Sequence, residues 1–275
     1  MAGDTIDITP SEQAALQLVI ARHARIEGSS RFLFDAATPP VAGSPRDLAD
    51  KAELTDPYVL AGVLLYAAED HLRTVLLVME KGPLPSYSLF TLFRTAAEAE
   101  VRCRHLLDPA ISEKLRLARG LNERLDNLTE QRKAVGNQAH FDERVDHLEK
   151  RALCHGIRPK WSVPKRGDVP EVIGFEGETV KSEVELFSLY LRHGSAAVRF
   201  LGGHVHSKPW VQFVRSRAQR TADPKVVAIP TDVDVGLLVG IVDSVLTVRD
   251  ANVGHWLTLA GYPADLWTHA TKAPP

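Results

Sequence analysis

The sequence predicts an all-α protein, an antiparallel helical bundle of about six helices with two long irregular loops. Three observations lead there. Segments of roughly twenty residues repeat their apolar side chains at intervals of three and four. Helix-start and helix-stop residues punctuate the chain clearly. Strand signals are sparse, with Glu171 to Phe175 the one segment that could form a short strand.

Thr9-Pro10-Ser11-Glu12 reads as a capping box with proline at the first helical position. The first helix is expected to run to about Glu27, where Gly28-Ser29-Ser30 follows. Pro39, Pro40, Gly43 and Pro45 then mark a loop. Thr55-Asp56-Pro57 opens a second helix through about Glu80, stopped by Gly82, Pro83 and Pro85. A third spans about Ser86 to Leu107. Asp108-Pro109 ends it and caps a long, charged fourth helix over 110–152. In that helix Leu117, Leu121, Leu125 and Leu128 make one stripe, and Phe141, Val145 and Leu148 another. Gly136 between them predicts a break or kink.

His155 to Thr179 is rich in Pro, Gly and Lys and reads as a loop. Ser182-Glu183-Val184-Glu185 is a second capping box, opening a fifth helix toward Phe200 that Gly202-Gly203 should end. Ser207 to Thr231 is a second irregular stretch. A sixth helix is expected from about Asp232 to Asn252, with a short tail helix near Ala264. The whole reads as a single helical domain over 1–275. Residues 1–50 supply an N-terminal helix and linker, and 51–206 with 232–262 the core bundle.

At 275 residues, 44% hydrophobic and 25% charged, the chain can bury a sizeable core without staples. Its two cysteines, Cys103 and Cys154, lack CxxC spacing, which argues against a disulfide scaffold or a two-cysteine metal site and fits a reducing cytoplasm. The N-terminus has no secretory pattern. The most apolar stretch, Val233 to Val248, is interrupted by Asp234, Asp243 and Ser244 and reads as a buried core helix rather than a membrane span. The net charge of −2 gives no global pull toward nucleic acid. Two local basic stretches stand out: Arg144 to Arg166, and Arg215, Arg217, Arg220 and Lys225. Solvated charge on loops and helix ends is the plainer account of both.

GxGxxG, GxxxxGK[ST], HExxH and GxSxG are all absent. Three polar constellations remain. Arg94, Glu98, Arg102 and His105 share one face of the third helix, where a glutamate between two arginines would hold both guanidiniums. This is either an exposed salt-bridged face or the charged lining of a cleft. Ser188, Arg192, Ser195 and Arg199 form a polar stripe on the fifth helix, which His206 would extend. His193 interrupts an apolar stripe there and is most simply a core or boundary histidine. The third is Gly202-Gly203-His204-Val205-His206, where an imidazole could serve as general acid or base, or two could begin a metal site that lacks a third ligand. Arg199 and His204 are spaced to bring a fixed cation and a titratable ring toward one pocket. That pair suits attack of a ribose 2′-hydroxyl on the neighbouring phosphate.

Two segments carry a resemblance. One is Leu92-Phe93-Arg94-Thr95-Ala96-Ala97-Glu98, running on to His105-Leu106-Leu107-Asp108-Pro109. The other is Leu189-Tyr190, then Ser195, then Val198-Arg199-Phe200-Leu201-Gly202-Gly203-His204-Val205-His206. Together they resemble a family of bacterial all-helical proteins similar to the HEPN superfamily of helical nucleases and nucleotide-binding domains. HEPN ribonucleases typically carry an arginine and a histidine four to six residues apart at a helix end, and act as dimers with two motifs facing each other. The resemblance implies a catalytic pair of Arg199 with His204 or His206, with Arg94 and Glu98 as polar supports. Arg102, Arg192 and Ser195 join them as candidate binding residues. It implies a homodimer acting on RNA, with no cofactor and no metal. Many members of the superfamily are non-catalytic.

Three readings stand at this point. The first is a metal-independent, HEPN-like ribonuclease of toxin or defence type. The second is a non-catalytic helical module that binds a protein or small ligand. The third is a metal-dependent enzyme using His204, His206 and a carboxylate such as Glu98.

Overall fold

A computed structural model describes residues 10–35, 39–81, 88–163, 170–192, 194–206, 219–220, 227–228, 235–263 and 266. Within these the chain is mostly helical. In order the elements are α1 (Pro10–Asp35), α2 (Pro45–Lys51), α3 (Asp56–Lys81), α4 (Ser88–Leu106), α5 (Glu113–Val135) and α6 (Gln138–Cys154). Then come β1 (Pro159–Trp161), β2 (Val172–Phe175), α7 (Glu183–Tyr190), α8 (Gly194–Val205), β3 (Gln219–Arg220), β4 (Val227–Ala228) and α9 (Val235–Leu259). Among the described residues no helix is long and apolar enough to cross a membrane.

Helix α4 is the axis of the bundle, packing on α3, α7, α8 and α9. Leu89, Phe90, Phe93, Ala96, Ala97 and Val101 are all buried on it. Burying each large apolar side chain is worth about 1.5–3 kcal/mol relative to exposure. Phe90 meets Phe200 of α8 edge to face, with ring centroids 5.3 Å apart, a geometry that adds about 0.5–1.5 kcal/mol beyond burial. Cys103 and Cys154 are both free thiols, Cys103 buried and Cys154 exposed.

Helices α5 and α6 form a hairpin with its own apolar cluster. Leu121, Leu125, Leu128 and Leu148 pack there with Phe175 of β2, so both expected stripes face inward. Gly136 makes the break between them: its φ of +72° is left-handed, and its N–H donates to the Arg132 carbonyl. Strand β2 lies where the sequence allowed one, paired antiparallel with β1 inside the segment expected to be loop. Buried Asn122 of α5 clamps this hairpin. Its Oδ1 accepts from the Phe175 N–H at 2.8 Å and its Nδ2 donates to the Phe175 carbonyl.

Several expected boundaries move. Helix α1 continues through Gly28 to Asp35, because Gly28 keeps right-handed backbone. The proline-rich loop contains α2, with Ser44 as N-cap and Pro45 in the first turn. Helix α5 is capped by Ser112, which accepts from the Leu115 N–H, whereas Asp108 caps a local turn through Ala110. The expected fifth helix is two helices. Leu191 is extended at the end of α7, and the Gly194 N–H turns back to its carbonyl. A Cβ at position 194 would stand 1.7 Å from the Phe187 carbonyl oxygen, so the bend requires glycine. Gly202 and Gly203 lie inside α8 rather than ending it, and neither has a positive φ. Helix α9 runs seven residues past the expected Asn252 to Leu259. Of the expected tail helix near Ala264, only Leu266 is described: it is helical and its N–H donates to the Pro263 carbonyl at 3.1 Å.

The centre of the bundle is not purely apolar. Arg249 of α9 and Glu100 of α4 are both fully buried. Arg249 donates to the Glu100 carboxylate at 2.9 Å and the Leu65 carbonyl at 3.0 Å, and it also pairs with Glu69 of α3. Asn252 donates to both the carbonyl and the carboxylate of Glu100. Burial raises the pKa of Glu69 and Glu100 against the pull of Arg249. Next to them His23 of α1 is buried, and burial with the neighbouring Arg249 and Arg73 lowers its pKa to about 4.

Candidate functional site

Arg94 sits nearly two turns into α4 and is half-buried. Its guanidinium forms a two-pronged fork on Glu183 at the start of α7, with Nε donating to Oε1 at 2.8 Å and Nη2 to Oε2 at 2.5 Å. Such charge-assisted forks are strong and directional. The same guanidinium lies against the backbone of α8: a Cβ at Gly202 would stand 3.2 Å from its Nη1. Glycine at 202 therefore permits the close approach of a cation from α4. The Glu183 hydrogen bond holds Arg94 further in its charged form.

Glu98 does not hold both arginines, as the spacing alone suggested. Among the described residues it accepts only from Arg102, whose second nitrogen donates to Glu123 of α5 at 3.1 Å. Arg94 is drawn instead to Glu183, because a carboxylate meeting the guanidinium fork edge-on offers two parallel bonds. Arg94 thus ties α4 to α7 and Arg102 ties it to α5, with Glu98 bracing Arg102 along α4.

Helix α8 presents Ser195 and Arg199 on one exposed face, and His206 is exposed in the turn just past its end. Positions 199 and 206 are seven residues apart, two turns and about 10 Å along the axis, nearly in line. Helical backbone carries through to His206, whose N–H donates to the Gly202 carbonyl at 3.0 Å. Neither Arg199 nor His206 has a side-chain hydrogen bond or ion pair among the described residues. The side chain of His204, and the whole of His193, lie outside the described residues. The bend at 191–194 breaks the expected stripe. Ser188 bonds back to Val184 on α7, while Arg192 is exposed in the bend itself.

The two segments that carry the resemblance do meet, at residues that sequence reasoning did not pair. His105 is buried, its Nδ1 3.2 Å from the Tyr190 hydroxyl, which donates to Asp108 Oδ2 at 3.2 Å. Since that hydroxyl has one proton and gives it to Asp108, the His105 Nδ1–H must be the donor to Tyr190. Burial and the nearby Arg119 lower the His105 pKa to about 3. Burial and Asp108 push the Tyr190 hydroxyl up to about 12. Arg119 clamps the group, donating to the His105 carbonyl at 2.8 Å and to Glu178. Arg104 contacts the ring of His255, which burial and that cation bring down to about 4. The chain His105, Tyr190, Asp108 positions α7 on α4. The motif-bearing residues His105, Asp108 and Tyr190 were visible in the sequence, but no local spacing links position 190 to 105.

The first basic stretch is largely neutralised where it is described. Lys150 pairs with Asp146, Arg151 with Asp56 and Arg158 with Glu176, while Arg144 donates to Gln131. The second falls almost wholly outside the described residues. Among the described residues no group of three His, Cys, Asp or Glu side chains could hold a metal ion.

Comparison with known proteins yields no match among family models, curated proteins or solved structures.

Proposed function

We propose that the protein is a metal-independent, HEPN-like ribonuclease whose cutting face is the exposed side of α8. The observation that supports this most is the alignment of Arg199 and His206. Both are exposed, two turns apart, and neither is spent on a structural contact among the described residues. In this reading His206 takes the proton from a ribose 2′-hydroxyl, whose oxygen attacks the adjacent phosphorus. Arg199 stabilises the charge that develops on the phosphoryl oxygens. The bond to the 5′-oxygen breaks, and that oxygen takes a proton from the matching histidine of a second copy. The products are a 2′,3′-cyclic phosphate and a 5′-hydroxyl. Arg94, pressed against Gly202 and forked on Glu183, fixes the backbone beneath this face.

The test is cleavage of a single-stranded RNA by the purified chain and by His206→Ala, His204→Ala and Arg199→Ala, each checked for helicity by circular dichroism. Loss of cleavage by about two orders of magnitude, the usual contribution of a general acid–base group, is expected for His206→Ala. Unchanged cleavage in that variant would remove the assignment.

A second reading, a non-catalytic helical module, draws support from a different observation. Arg94 and Arg102 are engaged in ion pairs between helices, and Glu98 pairs with Arg102 along α4, so three of the candidate polar residues already have structural roles.

A further inference from the structure

The hairpin of α5 and α6 and the strands β1 and β2 enclose an open groove of about 660 Å³. Its walls carry Asp126, Asp142, Asp146, Glu149 and Glu171, against one cation, Arg132, among the described residues. Some of that charge is answered within the protein. Lys150 pairs with Asp146, the Gln138 amide donates to Asp142 at 2.7 Å, and Arg132 lies 3.8 Å from Glu171. Asp126 and Glu149 make no ion pair among the described residues. The floor is apolar and partly aromatic, with Phe141 and Val145 on α6, the half-exposed indole of Trp161 on β1 and exposed Ile173 on β2.

The groove already seats one guanidinium. Arg132 lies over the Phe141 ring at 4.2 Å from its centroid, with Glu171 beside it. A cation held by an aromatic face and a carboxylate is a general recognition arrangement. The groove offers more of the same elements than Arg132 uses. An RNA backbone would be repelled by this excess of carboxylates, so the groove is not an extension of the α8 face.

We propose that this groove docks a short basic peptide segment of a partner protein, with arginine or lysine side chains meeting Asp126 and Glu149 and an apolar side chain resting on Trp161 and Val145. The argument is charge complementarity together with the seated Arg132, and it is independent of any ribonuclease activity.

The experiment measures binding of a fluorescein-labelled peptide of alternating arginine and leucine to the full chain by fluorescence anisotropy. The controls are an arginine–serine peptide and spermine as competitor. Binding is expected to weaken with added salt, as for partly exposed charge pairs. It should fall roughly tenfold in Asp126→Asn/Glu149→Gln and severalfold in Trp161→Ala, with circular dichroism unchanged. Glu149→Gln alone gives the same direction should the double variant fold poorly. No binding, or equal binding by parent and variants, overturns the proposal. Equal binding of the arginine–serine peptide reduces the site to charge attraction and also overturns it. Displacement by spermine at concentrations matching the peptide would make it a small-polycation site instead.

Discussion

The bundle centre and the α5–α6 hairpin both carry more carboxylates than a packed helix pair needs, and they treat them in opposite ways. At the centre Glu69 and Glu100 are enclosed and matched to Arg249 and Asn252, each from a different helix position. On the hairpin the carboxylates line an open groove, and two of them face solvent without an ion pair among the described residues. Enclosed charge that is matched to an opposite charge fixes which helices meet and in what register. Open charge that is left over is available for recognition. Residue type is the same in both places; burial and partners separate structure from interaction.

The largest expected effect breaks the enclosed side of this contrast. Arg249→Met leaves Glu100 buried without its cation, and removal of one partner from a buried pair costs about 3–5 kcal/mol. Urea denaturation of parent and variant measures it. A loss under about 1 kcal/mol would mean that the network is not structural. Next comes the bend between α7 and α8. Gly194→Ala places a Cβ against the Phe187 carbonyl and should cost about 1–3 kcal/mol, the range for overpacking. It should also disturb the α8 face more than the groove, so peptide binding survives while cleavage falls.

A pH measurement sharpens the comparison. His23 has a folded pKa of about 4 against the ordinary 6.5. Above pH 6.5 its contribution to stability is whole. As pH falls from 6.5 toward 4 the unfolded chain takes up a proton that the buried ring refuses, and stability is lost. His23→Gln does not titrate, so its denaturation midpoint should fall less than the parent's between about pH 7 and pH 5. Equal losses in both would assign the acid sensitivity elsewhere, His105 and His255 being next. The smallest effect lies on the open side: Glu149→Gln should change stability by less than about 0.5 kcal/mol, as surface substitutions do.

The contrast also marks what was legible in the sequence. Apolar period and caps placed α3, α4, the break between α5 and α6 and the start of α7, because Asp56, Gly136 and Ser182 act through neighbours a few residues away. The bend at Gly194 was not legible, since it rests on the approach of the Phe187 carbonyl and the apolar period continues across it. Ser44-Pro45 is itself a helix start, yet the surrounding prolines and Gly43 read as loop. For the candidate site, the sequence paired Arg199 with His204, whose side chain lies outside the described residues, and offered His206 as the alternative; Arg199 and His206 are both exposed. Which carboxylate Arg94 chooses was not legible, because Glu183 is far away in sequence and reaches it only after α7 has packed. Arg249 and Asn252 stand three residues apart on an apolar helix, a signal that could have pointed to the buried network. The partners Glu69 and Glu100 come from helices that only the tertiary fold brings together.

The proposed cutting of RNA by Arg199 and His206 is open to direct test. The most direct measurement is the identity and yield of products from a single-stranded RNA incubated with the chain in chelator, compared with His206→Ala. The account predicts 2′,3′-cyclic phosphate ends from the parent and about a hundredfold less from the variant. No cleavage by the parent, or equal cleavage by both, would contradict it and leave α8 as a binding face.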